Sequence, residues 1–184
     1  MILRVNAIAL HVLEPETRAT EKNPSLLFIH GAGGHGEIWD AQASAFRGKH
    51  AAFRLDLPGH GGSGGQGEDR ISAYPEWVRL ASENLFGSKP FVLVGHSMGG
   101  AITLELSLNP PNGLKAIVLV GSGAKLAVTR AIFQMLRENP DAFFESLDRF
   151  AFSSAAPRAV RDRLIRLTRQ CPPDLIFDDF KACD

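Results

Sequence analysis

Residues 91–106, FVLVGHSMGGAITLEL, constrain the fold of this chain more than any other stretch. Four apolar residues run into Gly95-His96-Ser97-Met98-Gly99, and apolar positions then recur at helical spacing. One serine therefore stands at a strand-to-helix corner framed by glycines, which allow strand and helix to approach closely. The corner needs other strands to build on.

The rest of the chain supplies them. SLLFIHG (25–31), AAFRLDL (51–57), FVLVGHS (91–97) and LKAIVLVG (114–121) read as strands, with helices over 38–47, 73–86 and 98–108 between them. Strand and helix in alternation imply parallel pairing with right-handed crossovers, and strands apolar on both faces suit a sheet covered by helices on each side. The class is α/β with a mostly parallel sheet. A weaker pattern in the first dozen residues adds a strand or two at an edge. From Lys125 onward only helical spacing remains, in VTRAIFQMLREN, PDAFFESLDRFAF, PRAVRDRLIRLTRQ and PPDLIFDDFKACD. We expect an α/β core over 1–124 and a helical cap over 125–184 that is not an independent domain.

Composition narrows the partners. At 184 residues, 45% hydrophobic and 22% charged, the chain can bury one substantial core. Twenty basic and twenty acidic residues balance without a cationic cluster, so no nucleic acid partner is expected. Arg4, Asn6 and His11 interrupt the apolar N-terminus before a leader core of sufficient length, and no run approaches the ~18 apolar residues of a membrane span. The expectation is a soluble, cytoplasmic protein. Cys171 and Cys183 have neither CxxC spacing nor nearby histidines, and read as ordinary thiols rather than a zinc site or disulfide framework.

The serine corner has a mechanical meaning. Gly95 and Gly99 let the backbone turn, Ser97 takes a strained conformation that lifts its Oγ above the sheet, and the following helix points its positive end at that oxygen. FIHGAGG (28–34) independently places a glycine-rich turn at the end of another core strand. Acyl transfer needs main-chain donors where a carbonyl oxygen becomes negative, each worth about 3–4 kcal/mol of barrier. The amides of Met98 and Ala32 are the candidates, with Gly33 as the neighbouring alternative. GHGGSGGQG (59–67) lacks the Gly-Lys-Ser/Thr ending of a phosphate loop, and no cofactor or metal is implied.

HGAGG, DLPGHGGS (56–63) and GHSMGG, in this order and spacing over about 25–123, resemble the α/β-hydrolase fold superfamily in its serine esterase and lipase-like branch. The resemblance implies hydrolysis of a carboxylic ester or related acyl bond through an acyl-enzyme on Ser97. It also implies a structural role for Asp56 and a cap for the helical segment. Members of this fold that act as dehalogenases and epoxide hydrolases carry aspartate at the corner, where this chain has serine.

The family's chain order is nucleophile, then acid, then histidine. Here His11, His30, His35, His50, His60 and His96 all precede Ser97, and Gly121, Ser122 and Gly123 offer no acid after the fourth strand. His96 is badly placed to serve its own neighbour. His30 and His60 read as loop-fixing hydrogen bonders, and His35, in the glycine-rich loop, is placed to line the pocket and is the least unsuitable substitute base. Phe133, Met135, Phe143, Phe144, Phe150 and Phe152 have the spacing of core, with some able to roof an acyl pocket. The expectation is an N-terminal portion of a serine hydrolase with poor turnover. A rival reading is a catalytically inactive protein of the same fold that binds a small ligand. LKAIVLVG, apolar on both faces and without a partner to follow it, is expected to drive self-association.

Overall fold

The computed structural model describes residues 1–16 and 23–184. Six strands form one sheet: β1 (Ile2–Val5), β2 (Ile8–Leu13), β3 (Ser25–Ile29), β4 (Ala52–Leu55), β5 (Phe91–His96) and β6 (Leu114–Val120), in the order β1-β2-β4-β3-β5-β6. Asn6 and Ala7, both at positive φ, close the two-residue hairpin between β1 and β2. β2 runs antiparallel to β4, and β4, β3, β5 and β6 pair in parallel. The weak N-terminal pattern is thus a real pair of strands, at the edge of a parallel core.

Alternation along β3 shows why both faces are apolar. Leu27 and Ile29 enter a main cluster with Leu55, Phe91 and Leu93, covered by α2 (Tyr74–Phe86) and α3 (Met98–Ser107). Leu26 and Phe28 point the other way, against Trp39 and Val94, under the 3-10 turn Gly36–Trp39 and α1 (Asp40–Ala45). Helix α2 opens with Pro75 in its first turn and ends at Gly87, whose φ of 58° suits a glycine.

Four helices complete the chain: α4 (Arg130–Glu138), α5 (Pro140–Phe150), α6 (Arg158–Thr168) and α7 (Pro173–Cys183). They share an apolar cluster of Leu136, Phe143, Phe144, Leu147, Cys171 and Ile176. Asn139 caps α5 by accepting the Ala142 N–H. Through Ala182 and Cys183, α7 also packs onto the main cluster, so the helical segment and the sheet are joined. Cys171 and Cys183 are free thiols. Among the described residues no helix is long and apolar enough to cross a membrane.

Candidate active site

Ser97 sits between β5 and α3 at φ 51°, ψ −118°, a conformation that non-glycine residues rarely hold. The glycines around it are sterically required. A Cβ on Gly95 would collide with the Gly99 carbonyl, and one on Gly99 with the Ile29 and His30 carbonyls. The Ser97 N–H donates to Val120 O (3.0 Å) and its carbonyl accepts from Ser122 Oγ (2.7 Å), so β6 and the segment after it brace the corner. Opposite stands the glycine-rich turn: a Cβ on Gly31 would lie 3.1 Å from that of Ser97.

Two histidines and two aspartates hold this turn. His30 Nε2 accepts the Leu57 N–H (3.1 Å), so its Nδ1 carries the proton and donates to Gly31 O (2.9 Å). Burial, with His60 alongside, pulls the His30 pKa well down and keeps the ring neutral. Asp56, at the end of β4, accepts from the Gly36 N–H (2.6 Å), the Gly62 N–H (2.9 Å) and His11 Nδ1 (2.8 Å). That fits the structural role expected of it.

Asp179 of α7 comes from far along the chain. Its Oδ2 accepts the Gly33 N–H (2.7 Å) and faces His60 Nε2 (2.9 Å), and its Oδ1 accepts the Tyr74 hydroxyl (3.0 Å). His60 Nδ1 faces Pro58 O at 2.9 Å. Both ring nitrogens thus meet acceptors, as an imidazolium requires. Burial alone would lower the His60 pKa, but the hydrogen bond and charge of Asp179 overcome it and push the value to about 10. Burial and Asp179 together raise Tyr74, keeping it a hydroxyl donor.

Of the turn's amides, Gly33 donates to Asp179 and Gly34 to Gly31 O (3.0 Å). Among the described residues, the amides of Ala32 and Met98 have no acceptor. A cavity of 430 Å³ is lined by Gly31, Ala32, His96 and Ser97, with Val120 and Gly121 at the end of β6. Phe143, Phe150, Phe152 and Phe180 form its apolar wall. The apolar residues singled out in the helical segment therefore divide: Phe133 packs on Phe177, Phe144 and Met135 pack in the helical cluster, Phe150 and Phe152 line the cavity, and Phe143 belongs to both cluster and cavity.

Of the histidines, only His96 shares this cavity, and burial lowers its pKa. His35 departs from expectation. The His35 side chain, 5% exposed, lines a separate polar pocket with His11, Asp56, His60 and Cys171. Its Nε2 is buried without a partner. Among the described residues, no histidine or carboxylate is hydrogen-bonded to Ser97, and no three His, Cys, Asp or Glu side chains come together as a metal site. Asp179 was missed at the sequence level because nothing local distinguishes it from the neighbouring Asp178.

Residues 24–170 match the family model for the α/β hydrolase fold. A 126-residue stretch is 30% identical to 2-succinyl-6-hydroxy-2,4-cyclohexadiene-1-carboxylate synthase of Klebsiella pneumoniae (strain 342), covering 68% of this chain and 49% of that protein. Pimeloyl-[acyl-carrier protein] methyl ester esterase of Nitrosomonas europaea is 29% identical over 103 residues, 56% of this chain and 39% of its own length. Among solved structures, a thermophilic esterase superposes with a TM-score of 0.82 at 24% identity, covering all of this chain and 67% of that one. The chain spans about half the length, or less, of the curated relatives it matches.

Proposed function

The chain belongs to the α/β hydrolase fold family, and on that premise we propose that it carries the nucleophile, oxyanion hole and cap of a serine hydrolase acting on carboxylic esters or related acyl bonds. The observation that carries this reading is Ser97 held at a strained φ of 51° at the head of α3, facing a turn whose Ala32 amide has no acceptor.

The chemistry follows from those positions. A substrate carbonyl in the cavity meets Ser97 Oγ, and attack moves the carbonyl π electrons onto oxygen. The N–H groups of Ala32 and Met98 receive that charge, and the α3 dipole adds to it. Collapse expels the leaving oxygen, which departs as the alcohol with the proton that Ser97 Oγ gave up, and leaves an acyl-enzyme for water to hydrolyse. Phe143, Phe150 and Phe152 give the acyl chain an apolar wall beneath the helical cap. A serine hydroxyl is a weak nucleophile until a base takes its proton, and none of the six histidines is paired with Ser97. The 184 residues by themselves are therefore expected to react slowly.

A fluorophosphonate probe followed by peptide mass spectrometry tests this. Slow labelling confined to Ser97, and abolished by Ser97→Ala, is the expected result. Equal labelling of the alanine variant would overturn the nucleophile assignment. Ester turnover near the common rate of about 10 per second would show that a base is present after all. The missing base pairing also favours a second reading, an inactive protein of the same fold that holds a small apolar ligand. Saturable ligand binding with no covalent label on Ser97 distinguishes it.

A further inference from the structure

Helix α7 meets the glycine-rich turn with one face. Ile176, Asp179 and Phe180, spaced i, i+3, i+4, are respectively buried against the turn, hydrogen-bonded to it, and exposed to the Ser97 cavity. A Cβ on Gly33, which stands at φ 64°, would lie 3.0 Å from Ile176 Cγ1 and 3.3 Å from Thr168 Cγ2. The turn is thus clamped between α6 and α7, and its one charged contact among the described residues is the Asp179 carboxylate. Both oxygens of that carboxylate are engaged, Oδ2 by Gly33 and His60 and Oδ1 by Tyr74.

We infer that Asp179 is the positioning residue of the oxyanion turn: by accepting the Gly33 N–H it fixes the turn so that Ala32 contributes the free amide facing Ser97. The inference rests on the proposed function and assigns the helical segment a part in the hole itself. Glycine at 33 makes the arrangement necessary. A turn that can cross to several backbone conformations needs an external acceptor to select one. A charge-assisted bond to a carboxylate does this more strongly than a neutral one. The groups facing His60, which shares Oδ2 with Gly33, are Asp179 and Cys171 from the helical segment and the His30 ring at 4.8 Å; Tyr74 and Cys183 lie around Asp179 itself.

The test is solution NMR on the 184-residue chain, with Ala116→Lys and Val118→Lys in every sample to block association at the β6 edge and phenylphosphonate as an oxyanion mimic, comparing this parent with Asp179→Asn and Asp179→Leu. In the parent, the Gly33 amide exchanges slowly, and phenylphosphonate shifts the Ala32 and Met98 amides but not Gly33. Asn retains an oxygen for Gly33 and preserves this pattern. Leu removes the acceptor, so Gly33 exchanges about 10- to 100-fold faster and Ala32 loses its response. His60 supplies a readout that packing alone does not move: in Asp179→Asn its titration falls from alkaline pH into the ordinary histidine range.

If Gly33 exchange and the Ala32 response are the same in parent and Asp179→Leu, the positioning role is overturned while the hole stands. If phenylphosphonate moves neither Ala32 nor Met98 in the parent, the hole reading fails and takes the inference with it. Should the Leu variant not fold, the parent decides: exchange of the Gly33 amide as fast as that of an unbonded amide overturns the proposal, because the bond to Asp179 would then not hold the turn.

Discussion

Strands β5 and β6 lie side by side in register, with Val92 opposite Ala116 and Val94 opposite Val118, and their sequences are nearly equally apolar. Their fates differ. Phe91 and Leu93 are fully buried, whereas Val118, Leu119 and Val120 are 44%, 38% and 40% exposed. β5 has β3 on one side and β6 on the other, with helices over both faces; among the described residues β6 has one neighbour and only α3 as substantial cover. An apolar run records what a strand is suited to, and burial depends on which elements stand beside it. The same contrast reaches the site, since both strands end at the Ser97 cavity.

Several substitutions would break or sharpen that contrast. The largest difference is expected from truncating equivalent side chains. Leu93→Ala should cost about 2–5 kcal/mol in urea unfolding, and Leu119→Ala less than about 1 kcal/mol. Equal losses would mean that β6 is covered in solution. At the strand ends, Gly95→Ala forces its Cβ into backbone and should cost about 3 kcal/mol or fail to fold. Gly121→Ala meets nothing closer than the His96 ring at 3.8 Å and bears only the strain of its 54° φ, about 1 kcal/mol.

The smallest effect on stability comes from Ala116→Lys with Val118→Lys, within about 0.5 kcal/mol for exposed positions. That pair should nevertheless abolish association. Light scattering of the parent at micromolar concentration is expected to rise with concentration through the open β6 edge, and the double-lysine variant is expected to stay monodisperse. A parent that is already monodisperse would sink the expectation.

Elements with local signatures were legible in the sequence. Short apolar runs, apolar on both faces, marked β3 to β6, and the glycines at 95 and 99 marked the corner because a side chain there has nowhere to go. The fixing role of His60 was legible in kind, but its partner was not. Asp179 lies 119 residues away, and the helical periodicity of α7 carries no sign that one of its acids turns inward. His35 was misplaced for the opposite reason. Neighbourhood along the chain suggested neighbourhood in space, but Gly34 lines the Ser97 cavity while the next residue, His35, lines the polar pocket with Asp56 and His60. The roofing aromatics could be named as a set but not divided, because core and cavity wall demand the same residue types.

The doubly bonded His60 ring makes folding of this protein a proton-uptake reaction above neutrality. The ring holds its proton to about pH 10 when folded, against the ordinary 6.5. The stability it lends is therefore complete below about 6.5 and drains away as pH rises toward 10, by up to about 1.4 kcal/mol per unit. Cys183, raised by burial and then by Asp179 to about 12, adds to the same alkaline loss once unfolded thiols begin to ionise, near 9. His30 acts on the other flank. Held neutral when folded, it favours the unfolded chain as pH falls below 6.5, where an unfolded histidine gains a proton. Two rings 4.8 Å apart thus pull in opposite directions. Calorimetry in buffers of different ionisation heat should find protons absorbed on folding at pH 8 and released at pH 5.5, with greatest stability between.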